Sequence, residues 1–334
     1  MSIVFPAEWA PHRAMWVGFP SHEELWEDDL APAQDEVAAL ARALAGPGGE
    51  RVRLMVCGEA AYKAAKDRLD GAKVEIVRGL FGDIWLRDTG PIFVQQNDRT
   101  LAKAFRFNGW GGKYVLEYDD QVAEQIAAAS GAPRVEHDFI LEGGAIDSDG
   151  FGTLLTTRQC LLNRNRNPGW TEEAALAALG EALGAKRLLW LGDGLLNDHT
   201  DGHVDNLARF VSPGVAACPV GFGLNDLNAS VYDDAAGRLA GFKDARGRGL
   251  QVVRIPSPGR IEASNGRAVP ASHMNFVIAN DAVIVPLYGE ERAGGYAIDA
   301  IQSLFPERTV VGLPARALLT GGGSFHCITQ QEPA

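Results

Sequence analysis

The sequence predicts an α/β fold built from repeated hairpin–helix–strand units that close on themselves. Three observations carry that expectation. The same order of elements recurs along the chain, polar glycine-rich segments fall at the same place in each repeat, and an apolar strand pattern persists into the last residues, where most chains fray.

Taken in order, "HRAMWVGFP" (residues 12–20) reads as a strand, and "APAQDEVAALARAL" (31–44), with its 3.6-residue apolar spacing, as a helix. "RVRLMVC" (51–57) reads as a second strand. A further helix and strand, "AAYKAAKDRL" (60–69) and "KVEIVR" (73–78), fit the repeat less cleanly. "GPIFVQQNDRTLAKAFRF" is a hairpin turning at Asn97–Asp98, followed by the helix "DQVAEQIAAAS" and the strand "PRVEHDFIL". The same order returns three times. "GGAIDSDGFGTLLTT" turns at Ser148 to Gly150 and leads to "TEEAALAALGEAL" and "KRLLWLG". "GHVDNLARFVSPGVAACPV" turns at Pro213–Gly214 and leads to "DDAAGRLAGF" and "LQVVRIP". "HMNFVIANDAVIVPLYG" turns at Asn280–Asp281 and leads to "RAGGYAIDAIQSLF" and "RTVVGLP". Finally "ALLTGGGSFHCITQ" supplies a strand for the unit that opened the chain. Each unit spans roughly 55 to 65 residues, cannot bury its faces alone, and so calls for a ring sealed by pairing the two ends. The whole chain, residues 1–334, is expected to be one catalytic domain.

Composition narrows the function. With 46% apolar and 22% charged residues the chain reads as globular, and the N-terminus "MSIVFPAEWAPHRAMW" has neither a signal peptide pattern nor a membrane span. A cytoplasmic location is the expectation. A net charge of −12 argues against nucleic acid and anionic membrane as partners and permits a small cation. Cys57, Cys160, Cys218 and Cys327 form no CxxC pair, so neither a disulfide framework nor structural zinc is expected.

Five patches fall between one unit's last strand and the next hairpin: "GDIWLRDTGP", "LEGGA", "NDHTDGHVDN", "NGRAVPASHMN" and "TGGGSFHC". In a ring they converge on one site. Cys327 follows three glycines whose backbone amides could approach a ligand, which suits a nucleophile. The segment alone equally fits a buried small apolar cysteine on a strand. His199 and His203 at i, i+4 raise a zinc pair, but Gly202 and the strand-like "HVDNLARFV" argue against a helix, so no metal is expected. On a strand, His203 and Asp205 share a face, pairing a general acid/base with a carboxylate. Asp201 reads as a turn residue, and His199 and His326 as hydrogen-bonded structural histidines. "DIWLRDTGP" groups Asp83, Trp85, Arg87 and Asp88, and its single DTG lacks the second copy that an aspartic protease needs. Arg87 reads as the partner of a nearby carboxylate. Glu142, between an apolar strand and two glycines, is either a site acid or a cap. Carboxylates facing a thiol suppress its thiolate unless a cation enters, and a planar guanidinium held bidentately fits that role.

In combination and in this order, "WLRDTGP", "FNGWGGKY", "LEGGA", "HTDGHVDN" and "GGGSFHCITQQ" resemble the agmatine deiminase and bacterial-type peptidylarginine deiminase family of guanidino-group-modifying enzymes. The resemblance covers essentially the whole chain. It implies a five-bladed α/β propeller of ββαβ modules (the pentein fold) and hydrolysis of agmatine without metal or organic cofactor. It also implies Cys327 as nucleophile, His203 as general acid/base, Glu142 beside it, and Asp88 and Asp205 as guanidinium-holding carboxylates. Trp85, Trp110 and Gly322 are implied around the substrate. Ser324 and Phe325 depart from the family's usual GGGNIHC, which bears on the distal pocket. Arginine or peptidyl arginine as substrate, amidino transfer, and an inactive ring binding polyamines or a protein remain the alternatives. A homodimer is a reasonable expectation for an enzyme of this size.

Overall fold

The computed structural model describes residues 3–334, and the chain is an α/β fold. Its strands are β1 (Ile3–Val4), β2 (His12–Gly18), β3 (Val52–Val56), β4 (Val74–Arg78), β5 (Ile92–Gln96) and β6 (Arg99–Arg106). Next come β7 (Arg134–Ile140), β8 (Ile146–Ser148), β9 (Thr153–Thr157), β10 (Arg187–Leu191), β11 (Arg209–Ser212) and β12 (Val215–Val220). The last are β13 (Gln251–Pro256), β14 (Val277–Ile278), β15 (Ala282–Leu287), β16 (Thr309–Pro314) and β17 (Thr329–Pro333). Among the described residues they form five sheets, ordered β17-β2-β3-β4, β1-β5-β6-β7, β8-β9-β10, β11-β12-β13 and β14-β15-β16.

Each sheet joins an antiparallel pair to a parallel one: in four of them a tight turn links the antiparallel strands and a helix crosses over to the next, and in the fifth β2 takes its antiparallel partner, β17, from the other end of the chain. At the β5–β6 turn Asn97 and Asp98 both take positive φ, 53° and 57°, a conformation these short polar residues tolerate. The crossover helices follow from local signals. Glu172–Leu183 starts where Thr171 accepts a hydrogen bond from Ala174 N (3.2 Å) and stops at Gly184, which takes φ 76°. Leu30–Ala45 buries Ala33, Val37, Leu40, Ala41 and Leu44, one stripe at i, i+4, i+7, i+8 and i+11, while Asp35 and Arg42 stay on the wet face.

The C-terminal strand is held because β17 pairs antiparallel with β2, from Thr329 opposite Val17 to Glu332 opposite Ala14. Arg13 Nε donates to Glu332 Oε1 at 2.6 Å, and Trp16 Nε1 to Oε2 at 3.3 Å. The helix–strand pair that fitted the repeat poorly adds β4 to the outer edge of this sheet, and β1, not anticipated, adds an edge to β5.

Two expected strand segments are turns. Residues 203–208 do not continue β11: Asp201 and Gly202 take φ of 64° and 83°, and the amides of Leu207 and Ala208 both bond to Val204 O, closing a short 3₁₀ turn over Val204–Asn206. Cys327 likewise precedes its strand. Ile328 N bonds to Ser324 O and Thr329 N to His326 O, and β17 begins only at Thr329. Among the described residues no helix is long and apolar enough to cross a membrane.

Candidate active site

The inter-unit segments meet at a cavity of about 330 Å3. Cys327, Asp88, Trp85, Trp110 and Gly322 line it, and His203, Glu142 and Asp205 lie buried behind.

Cys327 Sγ accepts a hydrogen bond from Asn275 Nδ2 (3.2 Å) and lies 3.8 Å from Asp205 Oδ2. Asn275 also fixes the turn that carries the thiol, because its Oδ1 accepts from His326 N (2.9 Å) and Cys327 N (3.3 Å). Asp88 is tied to the same turn, since the amide of its neighbour Arg87 donates to Cys327 O at 3.1 Å. Burial, then the negative charges of Asp205 and Asp88, push the Cys327 thiol well above its ordinary value. At neutral pH the resting group is therefore a thiol.

This protonation has a direct readout. Iodoacetamide, a neutral reagent that reacts with thiolate, is expected to label Cys327 slowly at pH 7, with a rate that climbs about tenfold per pH unit past pH 9. Peptide mass spectrometry resolves Cys327 from the partly exposed Cys57. A pH-independent rate between 7 and 9 would contradict the assignment.

His203 stands between two carboxylates, with Nδ1 3.7 Å from Asp88 Oδ2 and Nε2 3.9 Å from Glu142 Oε2. Burial opposes a charged ring, yet Asp88, Cys160 and Glu142 together raise it well above its ordinary value. The imidazole is thus a proton donor held charged beside an uncharged thiol. Glu142 stays ionised below the usual carboxylate range: burial opposes this, and His203 and Arg166 overcome it. Arg166 Nε donates to Glu142 Oε1 (2.6 Å), while its Nη1 and Nη2 reach Asp201 Oδ2 (2.6 Å) and Thr200 O (2.8 Å). Asp201, read as a plain turn residue, therefore anchors the arginine that orients Glu142.

Asp88 accepts from Gly144 N through Oδ1 and from Trp110 Nε1 through Oδ2, both at 2.9 Å. Burial and then the nearby Asp205 and Glu142 raise its pKa, against the pull of His203. Asp205 is held low despite its burial, chiefly by His326, whose Nδ1 lies 2.8 Å from Oδ2; its Oδ1 is buried without a partner. Two carboxylates with spare lone pairs, both near enough to a thiol to raise its pKa, form a receptor for a planar cation with several N–H groups.

The glycine run works differently from expectation. Gly321 N and Gly322 N close the helix Arg316–Thr320 on Leu318 O and Leu319 O, so these two amides are not offered to a ligand. The glycines instead admit rings: an added Cβ at 321, 322 or 323 would sit within 2.5 Å of Trp26, His199 or Trp85 respectively. Gly322 also has φ 106°. Trp110 takes φ 52° between Gly109 and Gly111, which aims its indole N–H at Asp88.

His199 lines the cavity, packing edge-on against Tyr114 at 5.5 Å, so it belongs to the site wall and is not merely structural; His326 has the hydrogen-bonded role expected of it. Arg87 bonds to Gln331 Oε1 (2.6 Å) and His326 O (3.3 Å), with no carboxylate among the described residues within ion-pair distance. His199 and His203 are separated by the turn at Asp201 and Gly202 and do not form a helix-face pair. Among the described residues the group with metal-ligand character is Glu142, Cys160 and His203, whose ligand atoms lie within 4.8 Å of one another. Glu142 is already committed to the Arg166 guanidinium there, a positive charge that opposes a second cation. Asn275, Arg166 and Glu8 were not singled out by sequence reasoning; Asn275 ends the glycine- and proline-containing patch "NGRAVPASHMN", and the other two carry no motif.

Fold and site together define an α/β protein with a buried thiol, imidazole and carboxylate centre. The chain belongs to the Porphyromonas-type peptidyl-arginine deiminase family, which residues 4–333 match. It is 40% identical to an agmatine deiminase of Stutzerimonas stutzeri over 98% of this chain and 95% of that one. Among solved structures it is similar to the agmatine deiminase of Enterococcus faecalis (TM-score 0.93, 33% identity, 99% of this chain and 96% of that one). It is also similar to a cysteine-to-serine variant of C. jejuni agmatine deiminase with substrate bound (TM-score 0.90, 28% identity, 99% and 96%).

Proposed function

We propose that this chain hydrolyses agmatine to N-carbamoylputrescine and ammonia, acting as one catalytic unit whose five sheets are the blades of an α/β propeller. The observation that carries the reading is Cys327 Sγ 3.8 Å from Asp205 Oδ2 and under the charge of both Asp205 and Asp88, with the charged His203 and Glu142 behind.

A guanidinium entering between Asp88 and Asp205 offsets the two negative charges that hold the thiol protonated. The thiol sheds its proton to solvent, and the thiolate adds to the guanidinium carbon, giving a neutral tetrahedral adduct. His203 donates its proton to one amino group, which leaves as ammonia, and an amidinium thioether remains on Cys327. Neutral His203 then takes a proton from water, the hydroxide adds to the same carbon, and collapse expels the thiolate. The proton of the O-protonated ureido product returns to the thiolate, restoring the resting thiol, and the neutral product departs. Glu142, fixed by Arg166, orients the ring and favours its charged form in the first half-reaction.

The far side of the cavity favours agmatine over arginine. Its lining is Leu25, Trp26, Tyr114, Leu116 and Asp83, with no Arg or Lys among the described residues to receive an α-carboxylate. Arg106 pairs with Asp138 on the surface, and Arg87 is buried behind the Cys327 turn. Asp83, held by Trp85 Nε1 (2.7 Å) and Trp26 Nε1 (3.2 Å), supplies a carboxylate and two indole faces for a primary ammonium. A cavity of about 330 Å3 suits a free small guanidine rather than an arginine on a folded protein.

The test is incubation with agmatine, arginine and a blocked peptidyl arginine, quantifying ureido product and ammonia, with Cys327→Ala as control. Agmatine is expected to be turned over and the others not. In Asp83→Asn, KM for agmatine is expected to rise about tenfold or more with a smaller change in kcat. Preferred turnover of arginine or the peptide would overturn the substrate assignment; production of a transferred amidine only in the presence of an amine would indicate amidino transfer.

A further inference from the structure

We infer that Glu8, from the N-terminal turn, is a positioning residue for the reaction: through His326 it sets the carboxylate of Asp205. The inference rests on the guanidinium-binding reading of the site.

Glu8 lies in the turn closed by Ala10 N on Ala7 O (3.0 Å), outside every segment whose residue types point to chemistry. It is buried, and each oxygen is assigned. Oε1 accepts from Ile278 N in β14 at 2.7 Å, and Oε2 accepts from Arg209 Nη2 and lies 2.9 Å from His326 Nε2. Arg209 is itself fixed, its Nε donating to Asp147 Oδ1 (2.8 Å) and its Nη1 to Phe276 O (3.1 Å). Glu8 therefore stands on a rigid base and has one contact that leads toward the site.

That contact passes through the ring of His326. Nδ1, on its far side, lies 2.8 Å from Asp205 Oδ2, the oxygen that is 3.8 Å from Cys327 Sγ. Occupying Oδ2 leaves Oδ1, buried and unpartnered, as the oxygen offered to a substrate N–H. The nucleophile has its own support, since Asn275 Oδ1 accepts from both His326 N and Cys327 N, so the imidazole held at both nitrogens acts on the clamp. The charge of Glu8 is required for this. An amide at position 8 places its NH2 against a donor in either orientation, facing Ile278 N–H or facing His326 and Arg209.

The experiment compares two reagents at Cys327: 2-chloroacetamidine, a planar cation that needs the carboxylate clamp, and iodoacetamide, which needs only a thiolate. In Glu8→Gln, amidine inactivation is expected to slow at least tenfold, with iodoacetamide labelling within twofold of wild type and agmatine kcat/KM reduced in parallel. His326→Gln breaks the same chain at its centre while leaving Glu8 on Arg209. The double variant is expected to be no slower than the slower single variant, since both cut one path. If Glu8→Gln does not fold, Glu8→Asp keeps the charge facing Arg209 on an arm one methylene shorter, and a smaller amidine-selective loss, about threefold to tenfold, is expected. Amidine rates at the wild-type level in the folded position-8 variant, parallel loss of both reagents, or losses that multiply in the double variant would each overturn the role of Glu8. A wild-type enzyme that reacts no faster with the amidine than with iodoacetamide would instead remove the guanidinium site itself, and this inference with it.

Discussion

Cys327→Ala is expected to lower agmatine turnover by about 10⁴-fold or more while leaving the fold intact. The size follows from the role: without sulfur there is no covalent intermediate, and positioning by Asp88 and Asp205 cannot replace the bond that is lost. Stability is expected to change little. The side chain is buried, but its sulfur makes only weak bonds, 3.2 Å from Asn275 Nδ2, 3.5 Å from Asn275 Oδ1 and 3.8 Å from Asp205 Oδ2. Asn275 Oδ1 keeps both backbone amides of the turn in the variant. Agmatine is expected to bind the variant at least as tightly as wild type, because the clamp is untouched and no thiol proton must be shed. Residual turnover within tenfold of wild type would remove Cys327 as nucleophile. An unfolded variant would show instead that the thiol is structural, as a buried small cysteine on a strand would be.

The repeat was legible because it depends on local chemistry. Turn residues such as Asn97–Asp98, the Thr171 cap and the Gly184 stop mark boundaries that neighbouring sequence enforces, and the predicted hairpins, helices and strands lie close to the observed ones. The thiol, His203, Asp88, Glu142 and Asp205, which the structure brings together, could be singled out because each sits in a polar segment between units. What misled was local periodicity at "HVDN" and "FHCI". Both look like strands, but backbone bonds to Val204 O and Ser324 O fold them into turns. The hidden residues are those whose roles depend on distant partners. Glu8 acts on His326, Asn275 holds Cys327, and Arg166 holds Glu142. No spacing rule links residue 8 to residue 326, since only closure of the chain brings them together.

Asp88→Asn tests whether one carboxylate both holds the cation and charges the acid, and kcat/KM is expected to fall about 10²- to 10³-fold. The isosteric amide cannot satisfy both existing donors: with Oδ1 on Gly144 N, its NH2 opposes the Trp110 indole N–H, and flipping it opposes Gly144 N–H. The pH profile separates binding from proton donation. In wild type Asp88 must be ionised, and its pKa is raised by burial and its acidic neighbours, so activity falls as pH drops through that raised value. His203 must be protonated for the first half-reaction, and its pKa is also raised, so activity falls as pH climbs through it. Burial pulls His203 down, and the charge of Asp88 is the largest effect lifting it. Removing that charge is therefore expected to move the alkaline limb to lower pH and to abolish the acid limb due to Asp88. Measured across pH 5 to 10, a variant with lower kcat/KM but an unmoved alkaline limb would confine Asp88 to substrate binding. An unchanged kcat/KM would remove it from the site.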